Sequence, residues 1–172
     1  MPFEIPDALQ GPSLALRPLR AEDLRALPPV LQDPALWAQH PAKERGTPEG
    51  SRAYVRWLLE QGGAMLVTDA EGAAGTSRYY QTPDLPGGAW AIGYTVLARR
   101  LWGGAANREM KALMLAPLFE AVDACWFHIA PGNLRSQRAT AKLGAVFVDE
   151  IDRNGPTQRW RLARGDWTGG AD

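Results

Sequence analysis

The sequence predicts an α/β fold, a mixed sheet with helices on both faces, and three observations carry that prediction. Strand-like runs alternate with stretches of helical spacing in the order β-α-α-β-β-β-α-β-α-β-β, which a sheet layered between helices accommodates. Two turn signals, Asp69-Ala70-Glu71-Gly72 and Asn154-Gly155, each join consecutive strand-like runs as hairpins. One run, Cys125–Ala130, is apolar on both faces and so belongs inside the sheet. At 172 residues the chain has the length of a single domain and can bury one sizeable core.

The elements follow in order. Met1–Ser13 reads as a loose lead-in and Thr168–Asp172 as a frayed tail. Leu14–Leu19 is a short strand, and Ala21–Leu27 a short helix that Pro28-Pro29 stops. Thr47 caps a helix with Pro48 at its first position, running to Gln61 and ending at Gly62-Gly63. Ala64–Asp69 and Ala73–Tyr80 are strands on either side of the first turn, and Thr82–Gly88 is a polar loop. Ala89–Leu97 is a mostly apolar strand in which Gly93 marks a bulge or a point of close approach. After a loop, Ala98–Ala106, the residues Met110, Leu113, Met114, Leu118, Ala121 and Val122 recur at helical spacing. Pro117 lies in that stripe, so the helix should kink or split there. Asn133 caps a further helix that runs to Leu143 and stops at Gly144. Ala145–Arg153 and Gln158–Ala163 close the chain as the second hairpin.

Composition narrows the function. The hydrophobic fraction is 45% and the charged fraction 22%, both ordinary for a soluble protein. Nineteen basic residues balance nineteen acidic ones, which argues against a nucleic-acid partner. One cysteine, Cys125, excludes an intrachain disulfide, and with only His40 and His128 beside it no metal centre is expected. No apolar run approaches the ~20 residues of a membrane span, and Met1–Pro12 is not a secretory signal, so the expected location is the cytoplasm, with no membrane partner.

The most informative stretch is Arg99-Arg-Leu-Trp-Gly-Gly-Ala-Ala-Asn-Arg-Glu-Met-Lys111. It follows a strand and opens a helix. Small residues admit a ligand close to the backbone, and first-turn N–H groups have no helical partners, which together suit a phosphate. The alternative is a tight connection and nothing more. Neither a Walker loop nor a dinucleotide fingerprint is present. A second stretch, Asn133-Leu-Arg-Ser-Gln-Arg138-Ala-Thr-Ala-Lys-Leu-Gly144, comes just after the next strand.

Together these stretches resemble the GNAT superfamily of acyl-CoA-dependent N-acetyltransferases, over about Leu14 to Trp167. The pattern is most similar to the ribosomal-protein N-terminal acetyltransferase branch. That branch carries Ile-Gly-Tyr/Trp, here Ile92-Gly93-Tyr94. It carries Trp-Gly-x-Gly-x-Ala/Asn-x-Glu-x-Lys, here Trp102-Gly103-Gly104-Ala105-Ala106-Asn107-Arg108-Glu109-Met110-Lys111. It carries Asn-x-x-Ser followed by Leu-Gly, here Asn133, Ser136, Leu143 and Gly144. The superfamily's acyl-CoA loop, Arg/Gln-x-x-Gly-x-Gly/Ala, fits as Arg100-Leu-Trp-Gly103-Gly-Ala105 or in the Trp102-Gly103 register, which puts Ala105 at the middle glycine.

The resemblance implies a central, mostly antiparallel sheet and acetyl-CoA as co-substrate for an amine acceptor, in a monomer or a homodimer. It implies that amides between Gly103 and Asn107, with Gly104, Ala105 and Ala106, hold the pyrophosphate beside Trp102, and that Arg99 or Arg100 adds charge. A backbone N–H among Tyr94, Thr95, Val96 and Leu97 meets the oxyanion. Asn133 belongs to the cofactor site, and Arg135, Arg138 and Lys142 form a solvated helix face from which one, such as Arg138, meets the CoA 3′-phosphate.

In such enzymes an amine attacks the thioester directly, so a base must take its proton and the CoA thiolate must be stabilised. The acid commonly found seven residues after the asparagine is replaced by Thr140, and the Glu commonly found before Ile-Gly by Ala91. Ser136 matches the branch's thiol-protonating or orienting serine; otherwise it bonds backbone in the first helical turn. His128 is the next candidate for the base, or else a packed histidine with satisfied hydrogen bonds. Asp84 and Glu109 are further candidates for the base; Glu109 otherwise serves the helix dipole. Cys125, between apolar neighbours, is a buried thiol. Trp37, Trp57, Trp90, Tyr79 and Tyr80 are candidate linings of an acceptor pocket. The closing strand Thr157–Ala163 lacks the branch's Tyr-Ser pair, while Asp166-Trp167 matches its ending. The competing readings are an acyl-CoA-binding module with little turnover and a structural protein without a ligand.

Overall fold

Eight strands and five α-helices run through residues 2–169, the part of the chain that the computed structural model describes. The strands are β1 (Leu9–Gln10), β2 (Ala15–Pro18), β3 (Ala64–Asp69), β4 (Gly72–Gln81), β5 (Trp90–Leu97), β6 (Ala124–Ile129), β7 (Val146–Asp152) and β8 (Pro156–Ala163). The helices are α1 (Leu27–Leu31), α2 (Pro34–Trp37), α3 (Pro48–Gln61), α4 (Ala106–Ala121) and α5 (Leu134–Ala141). All the strands join in one sheet, ordered β1-β2-β3-β4-β5-β6-β8-β7. Only β5 and β6 are parallel, because α4 carries the chain back between them. The other neighbouring pairs are antiparallel.

Each face of the sheet buries one apolar layer. Met110, Met114 and Leu118 of α4 pack on Leu16, Met65 and Ile92. On the other face Leu27 and Leu31 of α1 and Tyr54, Val55 and Leu58 of α3 pack on Ala64 and Leu66. Fully burying side chains of this size contributes about 1.5–3 kcal/mol each, which outweighs local propensity where the two conflict. Among the described residues no helix is long and apolar enough to cross a membrane.

Local chemistry sets the best-defined ends. Thr47 Oγ1 accepts from the Gly50 N–H at 3.0 Å, Pro48 occupies the first helical position, and α3 stops where Gly62 takes φ +70°. Asn133 Oδ1 accepts from the Ser136 N–H at 3.2 Å and starts α5. The β7–β8 turn uses Asn154 at φ +58° and Gly155 at φ +128°.

Three expectations are corrected, and the two alternatives for Gly93 are decided in favour of close approach. Pro28-Pro29 does not end a helix: a 3-10 turn covers Ala21–Leu24, and the prolines lie in the first turn of α1, where their missing N–H groups have no helical partner to lose. The lead-in is not loose throughout. Leu9–Gln10 pairs with β2, Phe3 packs on Tyr79 and Trp90, and the Glu109 carboxylate accepts from the amides of Ser13 and Leu14 at 2.8 and 2.9 Å. Pro117 does not split α4, which runs unbroken from Ala106 to Ala121. Packing holds it continuous, and Tyr79 Oη donates to the Met114 carbonyl at 2.7 Å in the turn that the proline leaves short of a donor. The bulge of β5 falls one residue after Gly93: Thr76 opposes Val96 and Arg78 opposes Gly93, so Ser77 faces both Tyr94 and Thr95. Of the expected tail, residues 170–172 lie outside the described residues.

Candidate active site

The parallel pair at the centre of the sheet opens into a cleft. Ala91 opposite Trp126 is the single registered pair of β5 with β6 among the described residues, although both strands continue, to Leu97 and to Ile129. Beyond that pair the facing backbone groups have no ladder partners, so they are available to an extended ligand. The bulge lies on this stretch. Tyr94 takes φ +52°, a left-handed backbone of order 1–3 kcal/mol above the relaxed state for a bulky residue. Its ring is wedged between Trp57 and Tyr80, with centroids at 5.0 and 5.2 Å, and Tyr54 Oη donates to its carbonyl at 3.4 Å.

The outgoing end of β5 leads straight to the N-terminus of α4. Trp102 Nε1 donates to the Leu97 carbonyl at 3.0 Å, fixing the loop. Gly103 turns it at φ +74°, where a side chain would be strained, and a Cβ at Gly103 or Gly104 would meet open space. Ala105 is the cap residue of α4 and makes no side-chain cap bond, and among the described residues no side chain bonds the first-turn amides. That leaves an uncapped, positively polarised helix end beside the cleft.

The two arginines at the entrance already have partners. Arg100 holds Asp69 with two hydrogen bonds, at 3.1 and 3.0 Å, and so braces the loop on the β3–β4 turn. Arg99 Nε pairs with Asp33 at 2.8 Å, its side chain 64% exposed. Across the cleft mouth, Arg135 stacks its guanidinium 3.8 Å from the Trp102 ring centroid, while Arg138 is exposed. Asn133 and Ser136 stand in the first turn of α5, just past the end of β6. Thr140 is buried in the same helix.

One face of the cleft carries a chain of three polar side chains. Tyr80 Oη lies 2.9 Å from His128 Nδ1, and His128 Nε2 lies 2.8 Å from Asp84 Oδ2. Burial raises the Tyr80 phenol, which therefore stays protonated and donates to Nδ1; the Nε2 proton then faces Asp84. Burial, together with Arg153, lowers His128 below its ordinary 6.5 and keeps the ring neutral at pH 7. Asp84 also pairs with Arg153 at 3.4 Å, and despite its own burial the Thr82 and His128 hydrogen bonds hold it below the usual carboxylate range. Gly93 is the close-approach point, since a Cβ there would stand 3.0 Å from Tyr80 Oη.

The opposite face carries Lys111. Its Nζ donates to Thr95 Oγ1 at 2.7 Å, and Thr95 Oγ1 bonds Ser77 Oγ at 2.8 Å. Nζ also stands 5.8 Å from the Phe127 ring centroid, so the amine lies between β5 and β6 where they have parted. The residue is 6% exposed, and burial lowers its pKa from 10.5 to about 8. Sequence reasoning places Lys111 in the loop pattern without a role. The available signal is its spacing from Met114, Leu115 and Leu118, which puts it on the buried side of α4.

The remaining candidates are spread out. Glu109 is occupied by Ser13 and Leu14 and lies off the cleft chain. Cys125 is fully buried, its thiol pushed up to about 12 by burial. Trp37 and Tyr79 are core residues, Trp90 packs on Phe3 at the far end of β5, and only Trp57 and Tyr80 border the bulge. Among the described residues no group of three His, Cys, Asp or Glu side chains is placed to hold a metal ion.

The sequence profile of the acetyltransferase (GNAT) domain matches residues 13–146. No curated protein matches the chain by sequence. Its structure is similar to that of a protein from T. thermophilus described as an acetyltransferase, with TM-score 0.76 and 25% identity over 98% of this chain and 95% of that one. Aminoglycoside acetyltransferase AAC(6')-Ib, solved with coenzyme A, superposes with TM-score 0.72 and 20% identity, covering 90% of this chain and 96% of that one. Mycobacterium smegmatis RimJ, solved with CoA-disulfide, superposes with TM-score 0.67 and 16% identity, covering 95% and 90%.

Proposed function

The chain belongs to the acetyltransferase (GNAT) domain family, and from that premise we propose that it moves an acetyl group from acetyl-CoA to a primary amine, a protein N-terminus or a small amine. One observation carries the reading: β5 and β6 part after Ala91 and Trp126, and the opened stretch of β5 ends at the uncapped N-terminus of α4. An extended pantetheine arm can pair with the free edges while a pyrophosphate meets the helix end.

The roles follow from position. Amides of Gly103, Gly104, Ala105, Ala106 and Asn107 bind the pyrophosphate, with Trp102 and the exposed Arg99 beside them. Backbone groups of Tyr94, Thr95, Val96 and Leu97 line the thioester, and the bulge turns one N–H toward its carbonyl oxygen. Asn133 orders the first turn of α5, and Arg138 is free to meet the 3′-phosphate. The amine nitrogen attacks the thioester carbon, forming the C–N bond as the C–S bond breaks. The amine's proton leaves through Tyr80 Oη to neutral His128, whose ring Asp84 orients, the same division of labour as in a Ser-His-Asp triad. The Ser136 hydroxyl donates to the departing sulfur. The whole reaction is carried by one domain acting in the cytoplasm.

A second reading, an acyl-CoA-binding module with little turnover, is favoured by Ala91 and Thr140, which leave two positions without an acid or base. Calorimetry with acetyl-CoA, followed by thiol release against a panel of N-terminal peptides, aminoglycosides and small amines, separates the two. Binding with amine-dependent thiol release supports the transferase and names its acceptor class, ribosomal or otherwise. Binding without release from any acceptor supports the module, and absence of binding overturns both.

A further inference from the structure

Lys111 is the chemistry-bearing side chain of the cleft that this mechanism leaves unused. Its ammonium has three N–H donors, and Thr95 Oγ1 accepts one of them; no further acceptor and no carboxylate partner stands near Nζ among the described residues. The groups that face it are neutral: the hydroxyls of Thr95 and Ser77, the ring of Phe127 and the protonated thiol of Cys125. A cation in such surroundings is unfavourable unless a further acceptor arrives. The acceptor the cleft is shaped for is a carbonyl oxygen, since the bulge that offers a backbone N–H and the hydroxyl that anchors Lys111 belong to the same stretch of β5.

We infer that Lys111 is an oxyanion donor: from the α4 side of the cleft it donates to the acetyl carbonyl oxygen, jointly with the β5 backbone, and stabilises the negative charge as the amine adds. This rests on the acetyl-transfer reading above. Lys111 keeps its proton throughout, and the only bonds made and broken are C–N and C–S. Two donors converging on one oxygen is the arrangement that lowers the barrier to acyl transfer, and losing one such donor costs about 100-fold or more in kcat. Because the amine's pKa is about 8, the donor is charged at neutral pH and neutral in mild alkali.

The test is isotope-edited infrared spectroscopy of carbonyl-13C acetyl-CoA bound to wild type and to Lys111→Met, with binding checked by calorimetry. The bound C=O stretch is expected at lower frequency in wild type than in the variant, and the wild-type band should rise as pH passes about 8. Equal band positions in two proteins that both bind acetyl-CoA would overturn the role of Lys111 and leave the transferase reading standing. Failure of wild type to bind at all would overturn both. An acetyl group found on Lys111 by mass spectrometry would also overturn it, since the amine would then be a nucleophile. If Lys111→Met does not fold, the pH response of the wild-type band decides alone. With an acceptor in hand, kcat of Lys111→Met should fall about 100-fold while KM for acetyl-CoA changes far less.

Discussion

Replacing Lys111 by Met should make the protein more stable at neutral pH, with an advantage that disappears in alkali. The amine's pKa falls from 10.5 in water to about 8 in the folded protein because burial disfavours its charge. The folded state therefore binds its proton less tightly than the unfolded state does. The penalty is fully present below pH 8, shrinks between about 8 and 10.5, and is gone above 10.5. The gap between the two values, at about 1.4 kcal/mol per pH unit, corresponds to about 3 kcal/mol. Methionine has a similar length and a flexible chain, so it fills the site beside Phe127 and Cys125. It loses the hydrogen bond to Thr95, worth about 1 kcal/mol, although Thr95 keeps Ser77 as a partner. The net expectation at pH 7 is a gain of about 2 kcal/mol, or about 4–8 °C in melting temperature for a chain of this size. Above pH 10.5 the sign should reverse, to a loss of about 1 kcal/mol. Urea unfolding of both proteins at several pH values reads this difference directly. A variant that is less stable at pH 7, by an amount independent of pH, would refute the reasoning and make Lys111 a packing residue.

Three further outcomes are expected. Asn133→Ala removes the α5 cap at a cost of about 1 kcal/mol and should weaken acetyl-CoA binding by calorimetry, whereas Ser136→Ala should lower kcat with little change in affinity; unchanged kinetics in both would remove this helix from the site. Because burial holds His128 below 6.5, kcat/KM should stay level from about pH 7, where Lys111 is charged, down to that region and fall only at lower pH as the ring gains its proton, and the acidic limb should vanish in His128→Gln. Gly93→Ala brings a Cβ to 3.0 Å from Tyr80 Oη and should break the Tyr80–His128 contact, lowering kcat more than acetyl-CoA affinity, as single-turnover and binding measurements would reveal.

The fold was readable where a boundary depends on one residue's own chemistry. Thr47-Pro48, Gly62 and Asn154-Gly155 each satisfy a local backbone demand, and the strand Ala64–Asp69 has the bounds the pattern sets. Misreadings occurred where a local signal admits two structures. A proline pair reads as a stop, yet Pro28-Pro29 is equally at home in a first helical turn. Pro117 costs α4 a hydrogen bond, but buried Met110, Met114 and Leu118 on either side hold the helix continuous. β1 is only two residues long and exists because β2 offers it an edge, which no periodicity in Met1–Ser13 announces.

The site divides in the same way, and the division explains why its two faces were unequally visible. The proposed pyrophosphate loop and the Asn133 turn are contiguous segments, so their residue types show in the sequence. The proton chain is not contiguous: Tyr80 and His128 are 48 residues apart, and His128 and Asp84 are 44 apart. Read singly, each has a bland explanation as core aromatic, packed histidine or loop acid. They meet because β4 and β6 flank β5 and because Gly93 lets the Tyr80 phenol lie against the β5 backbone. The same parting of β5 from β6 opens the sheet beside the buried Lys111. Had the strands stayed paired to Leu97, the amine would lie under a closed sheet and the histidine above it, with no path between them. In the proposed mechanism the cleft is therefore what makes a buried cation and a buried base, each unfavourable or inert alone, two sides of one reacting centre. On that proposal an amine approaching along the Tyr80 face delivers its proton away from Lys111, and the charge that builds on the carbonyl oxygen forms on the side where the ammonium stands.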